Sequence, residues 1–152
     1  AVFMARTPIK VDWNFDVNDV NDAFVFKVDI GNLPASDLNP FSRPNLKVQF
    51  EGELLKTFAT ISGDANTSRV NMRANYENFK VNVLDKEGKD KNKVLSAIAN
   101  LFIKKDSNKS SDDFREGFKE GIARDYTKSV FNFLWLSLRS GLISVMTGDG
   151  KK

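Results

Sequence analysis

Alternation of apolar and polar residues governs the first half of the chain. Ile9, Val11, Trp13, Phe15 and Val17 are apolar, with Lys10, Asp12, Asn14 and Asp16 between them. Period two predicts a strand with one buried and one wet face. Residues 18–22 (NDVND) supply a turn, and Phe24, Phe26, Val28 and Ile30 repeat the pattern opposite Lys27 and Asp29, as the antiparallel partner of the first strand. Gly31 ends this strand. Residues 33–44 (LPASDLNPFSRP) hold three of the four prolines and read as a connection with one helical turn rather than a strand. Leu46, Val48 and Phe50 resume the alternation as far as Gly52. A tight reversal is expected at residues 53–55, and residues 56–62, with Phe58 and Ile61, make a fourth strand. GDAN at 63–66 is a strong turn signal. Val70, Met72, Ala74 and Tyr76 form a fifth strand, Glu77-Asn78 a second reversal, and Phe79, Val81 and Val83 a sixth.

Beyond Leu84 the period changes. Residues 85–93 (DKEGKDKNK) form a charged loop, and Val94, Leu95, Ile98, Ala99, Leu101 and Phe102 space as a short amphipathic helix. Residues 104–113 (KKDSNKSSDD) have the composition of a mobile linker. In residues 114–123, Phe114, Phe118 and Ile122 suit either a helix or a strand. Gly117 and Gly121 would each cost a helix about 1 kcal/mol, which favours an edge strand. The longest periodic segment is Arg124 to Met146. Val130, Phe133, Leu134, Ser137, Leu138, Gly141, Leu142 and Val145 fall on one helix face, with Phe131, Trp135 and Met146 on a stripe beside it. Asp125 or Thr127 is the expected N-cap.

These elements predict one α+β domain over 1–152. It is an antiparallel meander of about six to seven strands, curved, with a short helix and a C-terminal helix packed on its apolar face. Its parts are the β meander (1–84), a loop, short helix and linker (85–113), an edge strand and C-terminal helix (114–146), and a frayed tail (147–152). The apolar face is expected to carry Trp13, Phe15, Phe24, Phe26, Phe50, Phe58, Tyr76 and Phe79, as core or as a lipid-facing surface. The helix packs onto it through Phe131, Phe133, Leu134, Trp135, Leu138 and Leu142. A helix about 10 Å wide cannot roof seven strands spaced about 4.8 Å apart, so part of that face must meet something else.

Composition narrows the chemistry. The chain has neither cysteine nor histidine, which removes disulfides, thiolate zinc sites and Ser-His-Asp or Cys-His catalysis. Residues 1–84 carry nine Lys and Arg against ten Asp and Glu, and residues 85–152 fourteen against ten, so the net charge of +3 belongs to the C-terminal part. Acids interrupt every basic run, a pattern unlike a nucleic-acid surface. Asp112, Asp113, Glu116 and Glu120 lack the spacing of a calcium loop and are interleaved with Arg115 and Lys119. GDGKK at 148–152 lacks the flanking strand and helix of a phosphate loop. No catalytic, cofactor or metal residue is assigned. No secretory leader is recognisable at Ala1, and no run of about 20 apolar residues offers a membrane span. The strand-like start is expected to continue upstream sequence.

The order of pieces resembles the C-terminal region of AsmA-like proteins of the bacterial envelope, of the Bacteroidetes type. The matching residues are Gly52 in FEGEL, Tyr76 to Leu84 (YENFKVNVL), Ile98 to Phe102, and Arg124-Asp125, Lys128-Ser129, Phe131, Trp135, Ser137, Leu138 and Gly141. Together they span roughly residues 33–146. The resemblance implies a non-enzymatic module of a β-sheet groove, linked to phospholipid transport and outer-membrane homeostasis. It further implies a periplasmic location in a protein anchored to the inner membrane by residues outside this chain. The expected partners are phospholipid or another envelope lipid, and envelope proteins. A protein-docking module using residues 33–44 and the basic C-terminal half is the alternative.

Overall fold

The computed structural model describes residues 2–3, 6–46, 48–83 and 114–148. The loop, short helix and linker expected at 85–113 and the tail beyond 148 lie outside the described residues. The strands are β1 (Val2–Phe3), β2 (Thr7–Phe15), β3 (Phe24–Ile30), β4 (Leu33–Pro34), β5 (Val48–Gly63), β6 (Thr67–Val83) and β7 (Arg115–Ala123). A 3-10 turn (Ala35–Leu38) and helix α1 (Asn39–Leu46) lie between β4 and β5, and helix α2 (Val130–Thr147) follows β7. The sheet runs β1-β2-β3-β5-β6-β7, every pair antiparallel, with β4 added to β5. It is a meander, curved and open, since β7 does not pair with the β1–β2 edge.

Register puts the alternating apolar residues in rows. Trp13, Phe26, Ile61 and Val70 lie across from one another, as do Val11, Val28, Ala59, Met72 and Gly117. Residues directly opposite on neighbouring strands share a face, so these rows form one apolar surface. Ile61, Val70, Ala74 and Tyr76 are fully buried in it.

The two reversals expected at 53–55 and 77–78 do not exist. β5 and β6 are single strands of 16 and 17 residues, with register shifts between Glu51 and Glu53 and between Leu54 and Lys56. Gly52 (φ 95°) and Asn78 (φ 51°) face each other there, and a Cβ on Gly52 would lie 2.4 Å from the Asn78 carbonyl oxygen. Positive φ is what made both look like turn residues. Here Asn78 and Phe79 of β6 stand opposite Gly52 alone, a bulge, and a second bulge falls at Leu55 of β5; bulges of this kind bend a ribbon instead of ending it.

Two boundaries also move. β2 stops at Phe15, leaving Val17 exposed in the turn, and Leu46 closes α1 rather than opening β5. Residues 33–46 hold more structure than one turn. Pro40 sits in the first turn of α1, where a missing N–H costs little. The buried Asn39 amide donates to the Phe50 carbonyl (3.0 Å) and accepts from its N–H (2.7 Å), standing in for a strand's peptide group.

Candidate functional site

Helix α2 is held to the sheet by small residues. Its N-cap is Ser129, whose side chain accepts from the Asn132 N–H. Asp125 and Thr127, the expected caps, instead build the preceding turn: the Asp125 carboxylate accepts from the Thr127 N–H (2.9 Å) and hydroxyl (2.6 Å). Those bonds hold the Asp125 carboxyl below its ordinary value, the hydroxyl contributing most. Along the helix, Ser137 Oγ donates to the Phe133 carbonyl (2.9 Å), which leaves Ser68 Oγ to donate to it across 2.7 Å. A Cβ on Gly141 would meet Val70 and Met72 at 3.0–3.1 Å, and one on Gly117 would meet the Val145 backbone nitrogen at 2.4 Å. Ser144 Oγ accepts from the Phe118 N–H (3.0 Å) and donates to the Phe118 carbonyl (3.1 Å). N–H and C=O of one strand residue point to the same side. Bonds from both to Ser144 therefore place α2 against the side of β7 away from β6. The helix crosses the sheet diagonally, from Phe133 against Phe24 (ring centroids 6.0 Å) to Val145 over Gly117.

By length and composition α2 is apolar enough to cross a membrane. Ser137, Gly141 and Ser144 are spent on contacts with β6 and β7, which make the helix the roof of this sheet.

The diagonal leaves a gap on the other flank of α2. There Trp135, Leu138, Leu142, Ile143 and Met146 face Ile30, Leu33, Leu38, Phe50, Leu54 and Met72 across a crevice of about 110 Å³. Two polar side chains, Thr57 and Arg139, complete its walls. Thr57 is buried, and among the described residues its hydroxyl has no hydrogen-bond partner. Nor has the buried Nε of Arg139. Among the described residues no acidic side chain forms an ion pair with Arg139. Burial pulls its guanidinium pKa below the usual value. A wider hollow of about 480 Å³, walled partly by Trp13, Phe15, Phe24 and Phe133, opens at the other end of the helix.

The residues expected on the apolar face divide into three groups. Phe50, Tyr76 and Phe79 are buried together, with ring centroids 5.7–6.0 Å apart, and Phe24 and Phe26 are half-buried beside α2. Trp13 and Phe15 face the same way but lie beyond the roof, at 36% and 62% exposure. Phe58 is on the opposite face, where its ring stacks under Arg73 (4.6 Å) and beside Phe114 (5.8 Å). The bulge at Leu54–Lys56 shifts the alternation by one residue, so Leu54 points into the core and Phe58 out of it.

On α2, Phe133 and Leu134 are buried as expected, and Trp135, Leu138 and Leu142 are half-buried on the crevice flank. Phe131 does not pack into the core; it is 70% exposed and touches only the rim, at Trp13 (6.4 Å). Leu33, Leu38, Thr57 and Arg139 of the crevice were not singled out from the sequence. The two leucines sat in an apparent connection, and the threonine and arginine carried no pattern of their own.

Among the described residues no group of three acids is placed to hold a metal ion. Glu116 and Glu120 lie exposed on β7, and Asp112 and Asp113 fall outside the described residues. The crevice walls offer hydrocarbon contact, Thr57 and Arg139 lining them through their carbon atoms. Comparison with protein-family models, with curated proteins and with solved structures finds no match to this chain.

Proposed function

We propose that this chain is a non-catalytic, hydrocarbon-binding β module of the AsmA-like kind, acting in lipid transport or outer-membrane homeostasis in the bacterial periplasm. The observation that supports this reading is the crevice beside α2, apolar on the sheet wall and on the helix wall alike. Apolar surface left in water costs about 25 cal/mol per Å², and a hydrocarbon chain laid in the crevice removes that cost. The motif run from Arg124 to Gly141 and the sequence segment Tyr76 to Leu84 carry the family resemblance. Gentle purification followed by solvent extraction and mass spectrometry is expected to recover lipid in stoichiometric amounts. Lipid-free protein that also takes up none from mixed vesicles would overturn the reading.

One observation favours the alternative, docking of another envelope protein. Beyond Pro8, β2 has β3 as its single neighbour among the described residues, and Val11 (49% exposed) and Phe15 stand along it. An edge of this kind accepts a partner's strand. Photo-crosslinking from position 15 in cells distinguishes the two: protein adducts favour docking, lipid adducts the groove.

A further inference from the structure

Beyond Pro8 the outer side of β2 meets no strand among the described residues. The Gly31 N–H donates to the Pro8 carbonyl (2.9 Å), so Pro8 turns its carbonyl towards β3. Backbone direction alternates along a strand, and the β2–β3 register is unbroken. Lys10, Asp12 and Asn14 therefore also point to β3, while Val11, Trp13 and Phe15 direct N–H and C=O outwards. The side chains of these three lie on the apolar face and are exposed to water. An edge that offers backbone groups and apolar side chains together is a template for another strand.

The chemistry of β2 selects that strand, because β2 is complementary to itself. In antiparallel pairing about a two-fold axis at Trp13, Trp13 faces Trp13 of a second copy, Val11 faces Phe15, Asp12 faces Asn14 and Lys10 faces Asp16. The outward N–H and C=O groups of Val11, Trp13 and Phe15 then meet their counterparts on the copy as hydrogen-bonded pairs. Every polar pair joins opposite charges or a donor and an acceptor, the combinations that stabilise cross-strand neighbours. Asp12 already accepts from its own Asn14 (2.6 Å) and has a second oxygen for Asn14 of the copy. Neighbouring registers are worse. An axis at Asp12 sets two aspartates face to face, and an axis at Asn14 sets Asp12 against Asp16. An axis at Val11 places Phe15 against Thr7, whose outer side already holds Phe3 of β1.

We infer that β2 pairs antiparallel with β2 of a second copy, joining two sheets into one at Trp13. A two-fold contact of this kind uses the same patch on both copies and closes on itself. The inference rests on the strand-docking reading and names the strand. No β2 residue lines the crevice beside α2, so it and the hydrocarbon reading can fail separately.

Charge exchange at the ends of the ladder tests it. Lys10→Asp alone, or Asp16→Lys alone, sets like charges against each other at both ends, whereas a one-to-one mixture of the two variants restores an opposite-charge pair at each end of the mixed dimer. In sedimentation equilibrium up to millimolar chain concentration the unaltered chain is expected to dimerise. Each variant alone should show a dissociation constant raised about tenfold, and the mixture should return close to the unaltered value. Recovery on mixing also shows that both variants are folded. The chain has no cysteine, so Asp12→Cys and Asn14→Cys each introduce one thiol. Mixed and oxidised, these two chains should link to one another faster than Asp12→Cys links to itself, and the reverse order would overturn the Trp13 register. A chain that stays monomeric, or variants whose mixture associates no better than either alone, would overturn the inference. Protein adducts from position 15 in cells would then give the edge to a strand of another protein.

Discussion

The sheet has two ends of similar composition and opposite fate. On β6 and β7 the residues under α2 are Val70, Met72 and Gly117, all buried; on β2 their row-mates Val11 and Trp13 stand half in water. Alternation alone does not separate the two, and β2 is the more aromatic. What separates them is how close a helix can come. Gly117, Gly141, Ser137 and Ser144 bring backbones and hydroxyls together without intervening bulk, so α2 settles over β6 and β7 and leaves β2 and the crevice unroofed. Small residues decide where the roof goes, and large ones decide what it encloses.

The largest expected effect tests that contrast within one helix. Phe133 is 1% exposed, and Phe133→Ala should cost about 3–5 kcal/mol in urea unfolding, whereas Phe131→Ala should cost under about 0.5 kcal/mol. Equal losses would mean that Phe131 is covered in solution. Next, Gly141→Leu should destabilise by about 1–3 kcal/mol, because Val70 and Met72 already touch the space its side chain needs. A neutral result would show that α2 can lift off β6 without loss. Smaller still, Ser129→Ala should cost about 1 kcal/mol through the lost N-cap. Thr127→Ala should cost less, and the reverse order would return the cap to the 125–127 turn.

The smallest effect is that of pH. Asp64 accepts from the Thr67 and Asn66 N–H groups, the Thr67 bond being the stronger influence, and Asp125 from Thr127. Both carboxyls sit below their ordinary value of 3.8. A depressed folded-state pKa contributes stability that is present above the unfolded value and lost as pH falls through the folded one. The urea midpoint should therefore fall as pH drops below about 4, and an Asp64→Asn, Asp125→Asn double variant should fall less steeply. Parallel curves would show that neither turn carries the acid sensitivity.

Much of the fold was legible because period two and period 3.6 are local properties. The β2–β3 pairing, the 63–66 turn, the edge strand β7 and most of α2 follow from spacing. Two of the misreadings share a cause. Glycine and asparagine at positive φ serve turns and bulges alike, so Gly52 and Asn78 were read as two reversals. Phe58 lies on the other face because of the separate bulge at Leu54–Lys56, where no glycine or asparagine marks the extra residue. Residues 33–46 looked like a connection because what buries them is remote in sequence: Asn39 bonds to Phe50, and Leu33 pairs with Leu54. The crevice was foreseeable only as leftover area. Its place depends on the angle at which α2 crosses, which no spacing encodes.

Ser144 closes the comparison. Its one hydroxyl occupies both backbone groups that Phe118 turns away from the sheet, while among the described residues β2 has no second neighbour beyond Pro8. An antiparallel sheet of this kind has polarity in the sense of a polymer: at Phe118 one margin is engaged by the chain's own helix, while the other offers backbone groups to a further strand.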